Sequence, residues 1–145
     1  MEDFETRKIL SKKIDEYGYS ASECEVFFNC VPAIQKDDYY SVVPVEMYIH
    51  LISDRVYNGY YHTFDSIYQD ISHIHLNCFL YNEPESIFCK DVQQVLINLT
   101  NIVQDQQNTL IYGNNAAKRI KQAWQQQDLI INVKRNENKF EQVEE

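Results

Sequence analysis

Two histidines and a cysteine stand close together in the chain and could in principle bind zinc, because imidazole nitrogen and thiolate sulfur are its usual ligands. They are His73, His75 and Cys78. Residues two apart on a helix do not share a face, and the remaining pair lacks two further ligands at finger-like spacing. We therefore predict no metal site and no cofactor.

Catalytic groupings are equally absent from the sequence pattern. We find no Ser/His/Asp arrangement, no phosphate-binding glycine loop and no carboxylate pair beyond surface acids. The 145 residues include only 3 glycines and 3 prolines, whereas strand-rich folds and nucleotide-cradling loops use many of both. The sequence predicts a protein that is not an enzyme and is built from long helices.

The charge of the chain narrows the class of partner. Asp and Glu number 22 against 13 for Lys and Arg, which gives a formal net charge of -9. Direct nucleic-acid binding is not expected, because its affinity comes from Lys and Arg displacing counterions, and a basic partner is favoured. No apolar run reaches the length of a membrane-spanning helix. We expect a soluble intracellular chain with no membrane partner, whose 4 cysteines are reduced and mostly buried.

Hydrophobic periodicity predicts four helices. Their approximate ranges are 4–17, 44–57, 63–81 and 86–107. Thr63 and Ser86 are plausible N-caps, and Pro84 disfavours helical geometry at the residue before it. Between the first two helices, residues 20–44 lose the periodicity but keep many apolar side chains. This combination predicts a long loop that packs on the core and takes part in binding.

The composition changes after Asn108. Residues 109–145 are rich in Asn, Gln, Lys and Glu, with a break at Gly113. Residues 116–124 could form a short amphipathic helix, and the end of the chain is expected to be disordered.

Two separated segments carry the most specific pattern. They read DDYYSVVPVEM at 37–47 and CFLYNEPES at 78–86. Together they resemble a bromodomain, whose loop commonly reads D-Y-Y followed by P-M-D and whose third helix commonly ends in N-x-x-x-Y-N-x-P-x-S. The sequence of these motifs is most similar to that of the first bromodomain of WD-repeat bromodomain proteins, of the pleckstrin-homology-domain-interacting protein type.

The resemblance implies an all-α fold, a left-handed four-helix bundle with a long loop between helices 1 and 2 and a C-terminal extension. Residues 1–108 are then the bromodomain, and residues 109–145 an extension or linker that is partly helical. The implied function is that of a non-catalytic chromatin reader in the nucleus, which binds acetylated lysine on histone tails and takes part in transcription regulation. As an isolated domain it is expected to be a monomer.

The resemblance also assigns roles to residues of an acetyl-lysine pocket. Asn82 donates its amide N–H to the acetyl carbonyl, and Tyr39 reaches the same oxygen through an ordered water. Phe88, six residues after Asn82, is the gatekeeper, with Ile87 as the alternative. The other wall residues are Tyr81, Phe28, Val31 and Ile34. Apolar walls with few polar groups suit a neutral acetyl amide, and burying an unpaired lysine ammonium there costs far more.

Departures from the family pattern leave a second hypothesis open. The first loop usually opens with W-P-F, whereas this chain reads FFNC at 27–30. The alternative is a bromodomain-like interaction scaffold that has lost or altered acetyl-lysine binding. Asn82 is then an ordinary helix-ending residue and Phe88 an ordinary core residue. The acids around the proposed mouth either attract a cationic tail or are simply solvated surface: Asp37, Asp38, Glu83 and Glu85.

Overall fold

The computed structural model describes residues 3–31 and 36–127, without the side chains of residues 36 and 37. The elements are α1 (Phe4–Ser20), a 3-10 turn (Ser22–Cys24), α2 (Lys36–Tyr40), α3 (Ile49–Tyr57), α4 (Phe64–Tyr81) and α5 (Ile87–Tyr112). Residues 114–127 are helical as well. None of the described helices combines the length and the apolar character that crossing a bilayer requires. The predicted all-α class is confirmed.

Local sequence explains where α1 and α4 begin and where α4 ends. The side chain of Asp3 accepts a hydrogen bond from a backbone N–H in the first turn of α1 at 3.1 Å. Thr63 does the same for α4, accepting from the Ser66 N–H at 3.3 Å. The backbone of Asn82 is extended and ends α4. The predicted cap at Thr63 and the predicted end of this helix are confirmed.

The third helix begins later than its apolar spacing indicates. Periodicity predicts a start at Pro44, whereas α3 begins at Ile49. The first N–H groups of a helix have no partner within it. Here the first loop supplies partners, since the N–H of Ile49 donates to the Phe27 carbonyl at 2.9 Å and that of His50 to the Phe28 carbonyl at 3.0 Å. The start at Pro44 is therefore wrong, because a contact between distant segments decides where the helix begins.

The core is formed by apolar side chains that repeat at helical spacing on α1, α3, α4 and α5. Its fully buried members include Leu10, Ile14, Ile52, Val56, Ile67, Ile71, Val92 and Leu99. Burying one such side chain stabilises the fold by roughly 1.5–3 kcal/mol. At Gly18 the first loop lies so close to α1 that an added Cβ would meet the Phe28 ring at 2.5 Å.

The chain divides into two compact units, Met1–Gln104 and Asp105–Glu145. The core just described belongs to the first unit. In the second, Gly113 has φ of +88°, a conformation that favours glycine, and Lys121 Nζ lies 2.8 Å from an Asp105 carboxylate oxygen. The break at Gly113 and the helix after it are confirmed. The end of the chain expected to be disordered, residues 128–145, lies outside the described residues, and the division at 108/109 stays a prediction.

Candidate functional site

A cavity of about 610 Å³ lies where α4 ends and α5 begins. Residues of the first loop, of α2 and of the segment before α3 complete its lining. The apolar and aromatic lining residues are Val26, Phe27, Val31, Tyr39, Met47, Tyr48, Ile74, Tyr81 and Phe88, and the polar ones are Glu25, Asn29, Cys30, Glu46, Cys78 and Asn82. Small-molecule sites in proteins have volumes of roughly 300–1,000 Å³ and mostly apolar walls with few polar groups. The volume of the cavity lies in this range, and nine of its fifteen lining residues are apolar or aromatic.

Five of the seven predicted site residues line this one cavity. Asn82 and Tyr81 come from the end of α4, Tyr39 from α2, Val31 from the first loop and Phe88 from the start of α5. The first loop and α2 are far in sequence from the turn between α4 and α5, so only the fold brings these residues together.

The other two predicted residues are not found there. Phe28 does not line the cavity, whereas the adjacent Phe27 does. The Phe28 ring packs instead against Tyr19, with centroids 5.1 Å apart, and His50, at 5.3 Å. Of the two adjacent phenylalanines, Phe27 therefore lines the cavity, and the predicted role of Phe28 in ligand binding stays a prediction. Ile34 lies outside the described residues.

Asn82 closes α4 with its side chain directed back along the helix. Its Nδ2 lies 3.1 Å from the carbonyl oxygen of Cys78 and 3.7 Å from the sulfur of that residue. The residue is partly buried and lines the cavity. An amide nitrogen carries two hydrogens. The Nδ2 group therefore contacts both acceptor atoms of Cys78, and it can donate to a group in the cavity by exchanging the longer contact with sulfur.

Two tyrosines form the wall beside Asn82. The rings of Tyr39 and Tyr81 meet edge to face with centroids 5.0 Å apart, and the Tyr81 hydroxyl donates to Asp38 at 2.7 Å. Burial, reinforced by the carboxylate of Glu46, raises the pKa of Tyr39 to about 12. The hydrogen bond to Asp38 likewise raises the pKa of Tyr81. Both hydroxyls are protonated at neutral pH and can donate hydrogen bonds.

Glu46 accepts hydrogen bonds from two residues of the loop between α1 and α3. One carboxylate oxygen accepts from the Val31 N–H at 2.6 Å, and the other accepts from the Tyr40 hydroxyl. Asn77, buried on α4, donates to the Val45 carbonyl at 2.7 Å. Sequence reasoning assigned no role to Glu46 or Asn77, although Glu46 lies in the first motif and Asn77 is the first residue of the N-x-x-x-Y-N pattern.

Phe88 stands at the cavity in the first turn of α5. It lines the cavity while 41% of it stays exposed, whereas Ile87 is 67% exposed and is not part of the lining. The Ser86 hydroxyl accepts from the Cys89 N–H at 3.3 Å and caps this helix as predicted. Of the two candidate gatekeepers, only Phe88 reaches the cavity, and it is not an ordinary core residue.

The three residues considered for zinc diverge in the fold. His73 lies 3.7 Å from a carboxylate oxygen of Asp70, His75 packs on the ring of Phe79 at 4.8 Å, and Cys78 lines the cavity. Over residues 3–31 and 36–127, no three His, Cys, Asp or Glu side chains are grouped so that they could hold a metal ion.

Comparison with known proteins decides the family. A family model for the bromodomain matches residues 7–94, more than half of the chain. The chain belongs to the bromodomain family. Bromodomains are in general non-catalytic modules that bind acetylated lysine in peptides, and they are typically associated with chromatin.

Individual relatives agree with this assignment. A bromodomain and WD repeat-containing protein of Dictyostelium discoideum is 26% identical over 110 residues, which are 74% of this chain and 5% of that protein. The solved bromodomain from human BAZ1A superposes with a TM-score of 0.60 at 19% identity and covers 73% of this chain and 95% of its own. The predicted resemblance to WD-repeat bromodomain proteins is confirmed, whereas the first-bromodomain type stays a prediction.

Proposed function

We propose that this bromodomain is a chromatin reader that binds acetylated lysine on histone tails and has no catalytic activity of its own. One observation supports the proposal most strongly. The amide of Asn82 and the protonated hydroxyl of Tyr39 share an open cavity, and aromatic and aliphatic side chains form more than half of its lining. A neutral acetyl amide on an aliphatic stem needs this combination of few polar groups and apolar walls.

Each residue has a role that its surroundings allow. Asn82 donates an Nδ2 hydrogen to the acetyl carbonyl in place of its 3.7 Å contact with the Cys78 sulfur, and Tyr39 donates to the same oxygen through a bridging water. The walls against the lysine stem are Phe27, Val31, Tyr81 and Phe88. Unmodified lysine is disfavoured because its ammonium must leave water.

Charge favours a basic peptide as the carrier of the acetyl group. Asp38, Glu83 and Glu85 are exposed close to Tyr81 and Asn82, and Glu25 and Glu46 belong to the cavity lining itself. A cationic histone tail is attracted to this region by complementary charge. The site of action that follows is the nucleus, in transcription regulation, with the isolated domain acting as a monomer.

The proposal is tested by amide NMR titration with histone-tail peptides that differ only in lysine acetylation. Expected are shifts at the amides of Asn82, Tyr39 and Phe88 with the acetylated peptide alone. Asn82→Ala should weaken binding by about tenfold or more, the loss of one well-formed hydrogen bond in a desolvated site. Asn29→Ala is the matched control, because Asn29 also lines the cavity but has no assigned contact with the acetyl group.

Two outcomes contradict the proposal. Equal shifts with acetylated and unmodified peptides across a varied set would favour the alternative, a bromodomain-like interaction scaffold. Unchanged affinity in a folded Asn82→Ala variant would remove Asn82 as the anchor.

A further inference from the structure

Two cysteines meet next to the cavity. Cys78 lies in the last turn of α4 and Cys89 in the first turn of α5, and their sulfur atoms are 3.8 Å apart. Both are buried free thiols. A disulfide needs a sulfur–sulfur distance of about 2.05 Å, so a shift of less than about 2 Å would let the bond form.

We propose that Cys78 and Cys89 form an intramolecular disulfide when the folded domain meets hydrogen peroxide. Peroxide reaches Cys78 because this residue lines the cavity, whereas Cys89 is fully buried. The Cys78 thiolate attacks one peroxide oxygen, the O–O bond breaks, and a sulfenic acid and one water result. The Cys89 sulfur then attacks the Cys78 sulfur and displaces the second water. Two thiols lose two electrons and two protons, and one peroxide becomes two waters.

The surroundings of Cys78 make this reaction slow at neutral pH. Burial, with smaller contributions from Cys89 and Asp91 and an opposing one from the contact with Asn82, raises the pKa of Cys78 to about 12. The thiolate is the reacting species. The pair therefore stays reduced under ordinary conditions and responds to sustained peroxide, faster as the pH rises.

The disulfide would act on Asn82, which touches both sulfur atoms. Asn82 Nδ2 lies 3.7 Å from the Cys78 sulfur, and the Asn82 carbonyl oxygen lies 3.9 Å from the Cys89 sulfur. Forming the bond consumes the Cys89 S–H that donates to this carbonyl and moves the Cys78 sulfur, so both contacts of Asn82 change. This consequence rests on the proposed function, and we expect the oxidised domain to bind the acetylated peptide about tenfold more weakly than the reduced one.

Peptide mapping tests whether the disulfide between Cys78 and Cys89 forms. The protein carries Cys30→Ser, because Cys30 is exposed and would cross-link molecules. Folded protein is treated with excess peroxide, alkylated under denaturing conditions and cleaved after Glu85, which lies between the two cysteines in the chain. The expected result is two fragments joined until a thiol reductant separates them. The control Cys89→Ala, with Cys78→Ala as its counterpart, should give no joined fragments.

Peptide affinity is measured on the same oxidised and reduced samples. Joined fragments with about tenfold weaker binding support the whole inference, and joined fragments with unchanged affinity overturn the effect on Asn82. Full alkylation of Cys78 and Cys89 in peroxide-treated, folded protein overturns the disulfide site. A reduced domain that binds no acetylated peptide contradicts the proposed function, while the mapping result still decides the disulfide.

Discussion

Phe27 and Phe28 are adjacent in the chain, yet their side chains have different surroundings. Phe27 lines the cavity, and Phe28 packs against α1 at Gly18 and against Tyr19 and His50. At the residue scale, the ring at position 27 contacts the cavity, whereas the ring at position 28 contributes to packing between the loop, α1 and α3.

Alanine substitutions at the two positions should separate binding from stability. Phe28→Ala should lower the free energy of unfolding by about 2 kcal/mol, because it removes a partly buried ring that packs on the core, and leave peptide affinity nearly unchanged. Phe27→Ala should weaken acetylated-peptide binding by about fivefold through loss of wall contact, with the smaller effect on stability. Urea unfolding and peptide titration of both variants check this, and the opposite pattern would restore Phe28 to the wall.

At the scale of elements, the loop between α1 and α3 is held by a few polar contacts. Glu46 bonds to Val31 and to Tyr40, and Asn77 of α4 holds the Val45 carbonyl. These contacts anchor the loop to α4 and to the segment before α3. Tyr39 belongs to this loop and is thereby held at the cavity.

Glu46→Ala should loosen this loop while leaving the helices intact. The amide of Val31 then exchanges its hydrogen faster, and acetylated-peptide affinity falls by about fivefold, because the loop loses its hydrogen bonds to Glu46. Hydrogen exchange and titration measure the two effects. Glu25→Ala is the matched control, since it also removes one carboxylate, and its negative charge, from the cavity lining. Equal effects of the two variants would show that Glu46 acts through its charge and not through its hydrogen bonds.

At the scale of the whole molecule, the net charge of -9 sets the long-range attraction for a basic tail. Salt screens exposed charges over a Debye length of about 10 Å at 0.1 M. Raising the salt from about 0.05 to 0.5 M should slow association with a basic acetylated peptide by about tenfold and change dissociation little. Stopped-flow kinetics measure both rates. A peptide with uncharged residues around the acetyl-lysine is the control, and an equal salt effect on it would contradict steering by charge.

The sequence alone determined the features that depend on neighbours within a few residues. Apolar spacing predicted α4 and most of α1 and α5, because a helix needs only a repeating apolar face to pack. The caps at Thr63 and Ser86 were predicted because capping is a contact between residues three apart. The short sequence motif around Asn82 likewise identified the family.

Tertiary structure decided what depends on contacts between distant segments. The start of α3 at Ile49 follows from the carbonyls of Phe27 and Phe28, and those hydrogen bonds also decide which phenylalanine faces the cavity. The contact between the Cys78 and Cys89 sulfur atoms exists because α5 begins beside the last turn of α4. A sequence pattern over a few residues does not predict such a contact, because the contact depends on how separate helices and loops pack against each other.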